Sequence, residues 1–392
     1  MLSIRTARKF GASSLLICGV AAFLGAPAVA HAQQTTPAAP AAPAPAPDPD
    51  AGFLNFFRKT ELSGFVDFYY DYNFNTPKTR QNQLRNFDTQ SNSIDLNLAE
   101  ISVNKAPSSD SRGGFRVDLD YGPTATTVNA AEPGGSTFAN VAQAYVSYLA
   151  PTGSGLQVDV GKFFTPVGNE VIHTKDNWNY SRSLVFALAE PYYHAGVRAA
   201  YTVNGKVSVA GYVLNGWNDV VDNNGGKTVG GSITLKPTGA VTIAENYLGG
   251  PEQANDNKDW RHLSDTILSV NATKIVSLAA NYDYGREKQI TGTSVMWQGI
   301  AGYLRIQPTG FFALTPRVEY YDDKDGWSTG TPQKLKEATV TAEFKSADGV
   351  LMRLEYRRDM SDNAFFLKND AEQVKSQDTF TVGVIYAFST KQ

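Results

Sequence analysis

The chain is short of cysteine, histidine and long apolar runs, and each shortage removes a class of protein. Its one cysteine, Cys18, lies inside an N-terminal segment that reads as a removable leader, which leaves the exported chain without a thiol. Disulfides, thiolate catalysis and cysteine-ligated metals are thereby excluded. Beyond the leader only His173, His194 and His262 remain, and none has a second histidine at metal-ligand spacing. No later apolar stretch approaches the roughly 20 residues of a membrane helix. Charge of one sign is lacking too. The 35 basic and 38 acidic residues nearly balance, and the leader removes Arg5, Arg8 and Lys9 but no acid. The remaining 32 basic residues face 38 acidic ones, a net charge of about −6 that argues against a nucleic-acid partner.

The leader is defined by that basic head, an apolar run from Gly11 to Val29 and the small-x-small site Ala30-His31-Ala32. Residues 1–32 are therefore expected to be a cleaved signal peptide; Pro27 and the cleavage site argue against a retained anchor. The bulky Ile17 before Cys18 argues against lipid attachment. Gln33–Asp50 is rich in Ala and Pro and reads as an extended linker. Phe53, Leu54, Phe56 and Phe57, followed by Arg58 and Lys59, form either an amphipathic turn at a membrane edge or a plain lead-in.

From Leu62 to Phe388 short alternating segments dominate. Phe380, Val382, Val384, Tyr386 and Phe388 share one strand face, whereas Thr381, Gly383, Ile385 and Ala387 share the other. Phe115, Val117, Leu119 and Tyr121 alternate in the same way with Arg116, Asp118 and Asp120. Beginning with Glu61–Asn73, the segments number about 16, with 14 to 18 as bounds. Tight links at Pro151–Gly155, Asn204-Gly205, Pro237–Gly239, Thr273-Lys274, Pro308–Gly310 and Ser346–Gly349 alternate with long ones. The phase slips near Ala99, where a bulge is expected, and is ambiguous near Val241 and Leu263. A membrane protein without spanning helices must close its sheet. The fold class is therefore all-β: a transmembrane antiparallel β-barrel over 61–392, with short periplasmic turns and long extracellular loops. On this reading arginine at Val382 or Val384 is costly, and at Thr381 harmless.

Charges opposite the apolar faces are candidate lumen groups: Arg116, Asp118 and Asp120; Arg198 with His194; Arg317 and Glu319; Arg353, Glu355 and Arg357. They either set a field across a water-filled pore or merely pair along the wall. The link from Thr165 to Glu190 carries Glu170, Lys175, Asp176 and Arg182, then the apolar run Leu184–Ala189. So much apolar weight is unusual in an exposed loop. The segment is expected to fold inward, its four charges forming a constriction; sealing a subunit interface is the alternative. Neutralising Glu170 and Asp176 should then favour anions. Gly226-Lys227-Thr228 lacks the earlier glycine of a phosphate loop, and Asp322, Asp323 and Asp325 lack the terminal glutamate of a calcium loop. No serine is marked as a nucleophile, and no catalytic residue, metal site or cofactor is expected.

The run from Gly64 to Asn73, with Leu84-Arg85-Asn86-Phe87-Asp88, resembles the start of the OmpL-like β-barrel porins of Gram-negative outer membranes. So do Gly161-Lys162-Phe163, Asn177-Trp178-Asn179-Tyr180-Ser181-Arg182-Ser183, Pro191-Tyr192-Tyr193-His194, Asn215-Gly216-Trp217 and Asp222-Asn223-Asn224. The resemblance implies a passive channel for small hydrophilic solutes or ions, seated in outer-membrane lipid by the barrel-assembly machinery. A homotrimer is common at this strand number, although no interface stripe stands out in the sequence. A non-conducting structural or adhesive barrel is the alternative. Such barrels usually finish on a terminal aromatic, whereas Phe388 is followed by Ser389-Thr390-Lys391-Gln392.

Overall fold

The computed structural model describes residues 51–391, so the expected signal peptide and linker lie outside the described residues. A short helix, α1 (Ala51–Lys59), leads into β1 (Glu61–Asn73), β2 (Ser93–Lys105) and β3 (Gly113–Tyr121). The helix α2 (Pro123–Val128) precedes β4 (Val141–Ala150) and β5 (Leu156–Phe164), and α3 (Leu184–Ala189) precedes β6 (Tyr193–Asn204). Next come β7 (Val207–Leu214), β8 (Thr228–Leu235), β9 (Val241–Pro251), β10 (Trp260–Asn271) and β11 (Val276–Lys288). The chain continues through β12 (Ser294–Ile306), β13 (Phe312–Asp323), β14 (Gln333–Lys345) and β15 (Val350–Ser361). A small hairpin, β16 (Phe366–Lys368) with β17 (Glu372–Val374), interrupts the last long loop before β18 (Ser376–Ser389).

Sixteen of these strands form one closed antiparallel barrel, each paired with its sequence neighbour, and β1 closes on β18 through pairs such as Phe68↔Val384. Closure leaves no open edge, which is what a sheet in hydrocarbon requires. The expected strand number is met. The expected bulge also occurs, two residues early: Asp67 pairs with Leu98 and Phe68 with Leu96, so Asn97 is the extra residue. The alternation of long and short links fails in one place, because β11 and β12 are joined at the long-loop end by residues 289–293 alone.

The polarity of the two faces is inverted relative to a water-soluble sheet. Outward apolar side chains lie bare, Ile94 at 78 %, Val318 at 61 % and Val146 at 62 % exposure, while Asp67, Asp118, Asp283 and Arg357 are buried inside. Such an outer surface is stable only when lipid covers it. Aromatics gather at both rims. Tyr72, Phe74 and Trp260 lie towards the long loops; Phe311, Phe344, Tyr386 and Phe388 lie at the short turns, the depth at which amphipathic rings favour the membrane interface. Helix α1 joins this lower rim, with Phe56 stacked on Phe115 at 6.3 Å, so Phe56 is more than part of a plain lead-in.

Candidate functional site

The segment between β5 and β6 lies against the inward faces of β10–β15 and β1, held by wall side chains that bind its backbone. Glu355 of β15 accepts the amides of Tyr180 and Ser181 at 2.7 and 2.9 Å. Arg353 donates to the carbonyls of Thr174 at 2.6 Å, Asn179 at 3.0 Å and Asn177. Arg357 donates to the Arg182 carbonyl at 2.5 Å, and Arg317 to the Ser181 carbonyl at 2.7 Å. On β13, Glu319 accepts the amide of Val185 at 3.1 Å, at the start of α3. That helix begins where Ser183 caps it, its hydroxyl accepting the Phe186 amide at 3.0 Å, and Leu184, Val185 and Phe186 are buried. The apolar run is therefore a helical plug of the wall's hydrophobic cluster, beside Trp297, Tyr303 and Tyr321.

Many loop and wall charges are placed by this arrangement as fasteners. Glu170 is buried, paired with Arg317 at 2.9 Å, and accepts the Ser183 amide at 2.6 Å. Arg182 is also buried and donates to the carbonyls of Ile172 and Tyr180. Removing Glu170 would unseat the loop before altering any field, so the expected anion shift cannot be assigned to it. Lys175 and Asp176 differ: they pair at 2.7 Å and keep 27 and 52 % of their side-chain surface. Asp120 does not face open water. It lies 3.2 Å from His173, which also meets Glu100 at 3.0 Å, fastening the loop to β2 and β3. His194 is buried and bridges the Gly216 carbonyl and the Thr165 hydroxyl at 2.8 and 3.1 Å.

Arg116 and Arg198 remain the open charges of the wall. Their side chains keep 27 and 23 % of their surface, and each pairs with a buried acid, Asp118 at 2.8 Å and Asp159 at 2.7 Å. Tyr145 of β4 pairs with Arg116 across the sheet, and the Arg198 guanidinium lies 5.5 Å from its ring centroid. Around the same side, inward Ser208, Ala210, Ser232 and Thr234 stay partly exposed. The inserted loop thus covers one side of the interior, while small, mostly polar residues line the other.

Near the long-loop mouth, a polar recess of about 350 Å³ lies between the inserted loop, the loop after β7 and Arg261 of β10, with Asp219 and Glu252 in its lining. Burial, then the neighbouring Glu252 and Glu132 charges, pushes Asp219 up to about 8. Burial likewise raises Glu252 to about 7, opposed by Arg261. The mouth therefore carries less negative charge near neutrality than its acid content suggests.

Sequence reading missed Glu337 and Glu343 on β14, which pair with Arg317 at 3.2 Å and Arg353 at 2.8 Å. Their alternation with outward Val340 was the available signal. It also missed Asp159, one strand from Arg198.

Comparison with known proteins agrees with this geometry. Solved structures with the same fold include outer-membrane-expressed OmpT of Vibrio cholerae, at 11 % identity and a TM-score of 0.57, covering 84 % of this chain and 97 % of that one. An anion-selective porin from Comamonas acidovorans matches at 12 % identity and 0.56, covering 84 and 99 %. The outer membrane channel DcaP of Acinetobacter baumannii matches at 14 % and 0.55, covering 84 and 97 %. No curated protein matches the chain. The family model "Putative beta-barrel porin-2, OmpL-like" matches residues 59–388, and the chain belongs to that family of β-barrel porins.

Proposed function

We propose that the barrel is a passive diffusion channel of the outer membrane for small hydrophilic solutes or ions, without catalysis, cofactor or energy input. The observation that carries this is the uncovered inward surface of β7 and β8, where Ser208, Ala210, Ser232 and Thr234 stay partly exposed beside the seated loop. Small polar side chains cannot fill a barrel of this width, so water occupies the remainder. Selection falls to the groups that keep exposure at that path: Arg116 and Arg198 on the wall, Lys175 and Asp176 on the loop. The chain reaches the membrane through the signal peptide at 1–32, and the barrel-assembly machinery inserts it.

Single-channel conductance in a planar bilayer, with reversal potential in a salt gradient, tests the reading. Stable ohmic steps are expected, and Arg116→Gln with Arg198→Gln should move the reversal potential towards cation preference, because Asp118 and Asp159 then lose the guanidinium charges that balance them. Silence from folded, inserted protein would favour the structural barrel, in which the seated loop acts as a plug. An unchanged reversal potential would remove both arginines from the path.

The outer face of β9 and β10 supports a homotrimer. Glu245 points outward among apolar neighbours, its two oxygens accepting from Ser264 at 2.7 Å and Thr266 at 2.6 Å. A carboxylate facing lipid is expensive, and a second copy of the chain would relieve it. Glu245→Leu is expected to weaken the oligomer seen by native mass spectrometry in mild detergent; an undisturbed trimer would place the interface elsewhere.

A further inference from the structure

Three carboxylates meet where the inserted loop ends. Glu190 follows α3, Asp265 stands on β10 and Asp283 on β11, and one oxygen of each lies within 4.8 Å of the others. All three are buried, Glu190 at 6 % exposure and both aspartates at 0 %. Their polar surroundings are already committed. Asn246 donates to Asp265 Oδ2 at 2.6 Å, and Asn281 donates to Asp265 Oδ1 at 2.7 Å and Asp283 Oδ1 at 2.9 Å. The Gly168 amide adds a bond of 3.2 Å to Asp265. What stays without a hydrogen-bond partner is both oxygens of Glu190 and Oδ2 of Asp283. The nearby guanidinium groups are engaged elsewhere, Arg261 with Glu287 and Arg317 with Glu170 and Glu337. Gly168 helps aim the glutamate: a Cβ there would come within 1.9 Å of Glu190 Oε2, and its φ of +93° suits glycine.

Burying three acids with orphaned oxygens is costly unless protons shared among them or a bound cation neutralise the charge. A donor set made only of oxygen suits a hard divalent ion and not zinc or copper. We propose that Glu190, Asp265 and Asp283 form a divalent-cation site, best suited to Ca²⁺, that ties the end of the inserted loop to the barrel wall. Glu190 offers both oxygens, Asp283 its free Oδ2 and Asp265 a spare lone pair, with water completing a shell of about 6–8 ligands. Magnesium, which demands a stricter octahedron and gives up water reluctantly, fits this irregular set less well. The site would fix the segment whose Leu188 and Ala189 carbonyls accept from Tyr321 Oη and Trp297 Nε1, each at 3.2 Å. It goes beyond the channel reading and does not depend on it.

The test uses the full refolded chain, free of lipopolysaccharide and stripped with chelator, titrated with Ca²⁺ by calorimetry and with Tb³⁺ by luminescence excited through tryptophan. Trp297 supplies a donor ring beside the site. One ion per chain is expected, with a rise in Tm. Binding should weaken by more than about tenfold in Glu190→Gln and in Asp283→Asn. Wild-type protein that takes up no ion at millimolar Ca²⁺ overturns the proposal, and so does uptake that survives unchanged in both variants. Should Asp283→Asn fail to fold, Glu190→Gln carries the comparison, since it alters the loop end and leaves the strands intact. Conductance plays no part in these readouts, so their failure would leave the channel reading standing.

Discussion

Arg353→Met is expected to raise single-channel conductance and noise while lowering resistance to urea, because this one side chain holds three consecutive attachment points of the inserted loop. Its guanidinium serves the carbonyls of Thr174, Asn177 and Asn179 and pairs with Glu343 at 2.8 Å. Methionine keeps the aliphatic stem, so packing changes little. The Asn177 and Asn179 carbonyls lose the guanidinium at once, the Thr174 carbonyl keeps the Asn177 amide at 3.1 Å, and Glu343 retains only Arg305, at 2.6 Å. Breaking a buried, hydrogen-bonded pair costs about 3–5 kcal/mol. The loop, fastened to the barrel by side-chain bonds and one buried helix, should absorb most of that loss before the sheet does. A variant with wild-type conductance and wild-type noise would show that the loop does not limit the path.

The sequence disclosed the barrel far better than its interior. Alternation of the kind seen from Phe380 to Phe388 survives into the structure because the two faces meet different solvents. It was ambiguous near Val241 and Leu263 because Glu245, Ser264 and Thr266 place polar groups on the outward face. The weight of Leu184–Ala189 set this loop apart in the sequence, but composition could not tell an exposed charge from a fastener. Glu170 and Asp176 look alike in sequence, and only three-dimensional pairing separates the buried partner of Arg317 from the half-open partner of Lys175. The acid cluster at Glu190, Asp265 and Asp283 was invisible, because the end of the inserted loop meets the middles of two paired strands, β10 and β11, and no local spacing records that meeting. The short hairpin of β16 and β17 left no signal either, being two three-residue strands in a polar loop.

Val384→Arg is expected to disfavour folding into lipid by about 2–4 kcal/mol, the cost of a guanidinium near mid-membrane on the lipid face of a barrel. Val384 lies between Phe68 and Met352 on the neighbouring strands and is 43 % exposed on the outer surface. The inward control has to be chosen with care. Thr381 looked harmless in sequence, yet it is 1 % exposed and donates to Asp71 at 2.5 Å. Two residues on, a Cβ at Gly383 would come within 2.2 Å of the buried Tyr180 ring. That stretch of inner wall is packed against the loop, so arginine at Thr381 should itself cost about 1–3 kcal/mol through overpacking. Thr234 is the sound control: it is partly exposed on the uncovered side, between Ser208 and Ala244 of the adjacent strands. Arginine there can extend into water and should change stability by no more than about 0.5 kcal/mol. Urea unfolding in lipid vesicles measures all three substitutions on one scale. Equal losses at Val384 and Thr234 would mean that the two faces do not meet different solvents, and the channel reading would fall with that distinction.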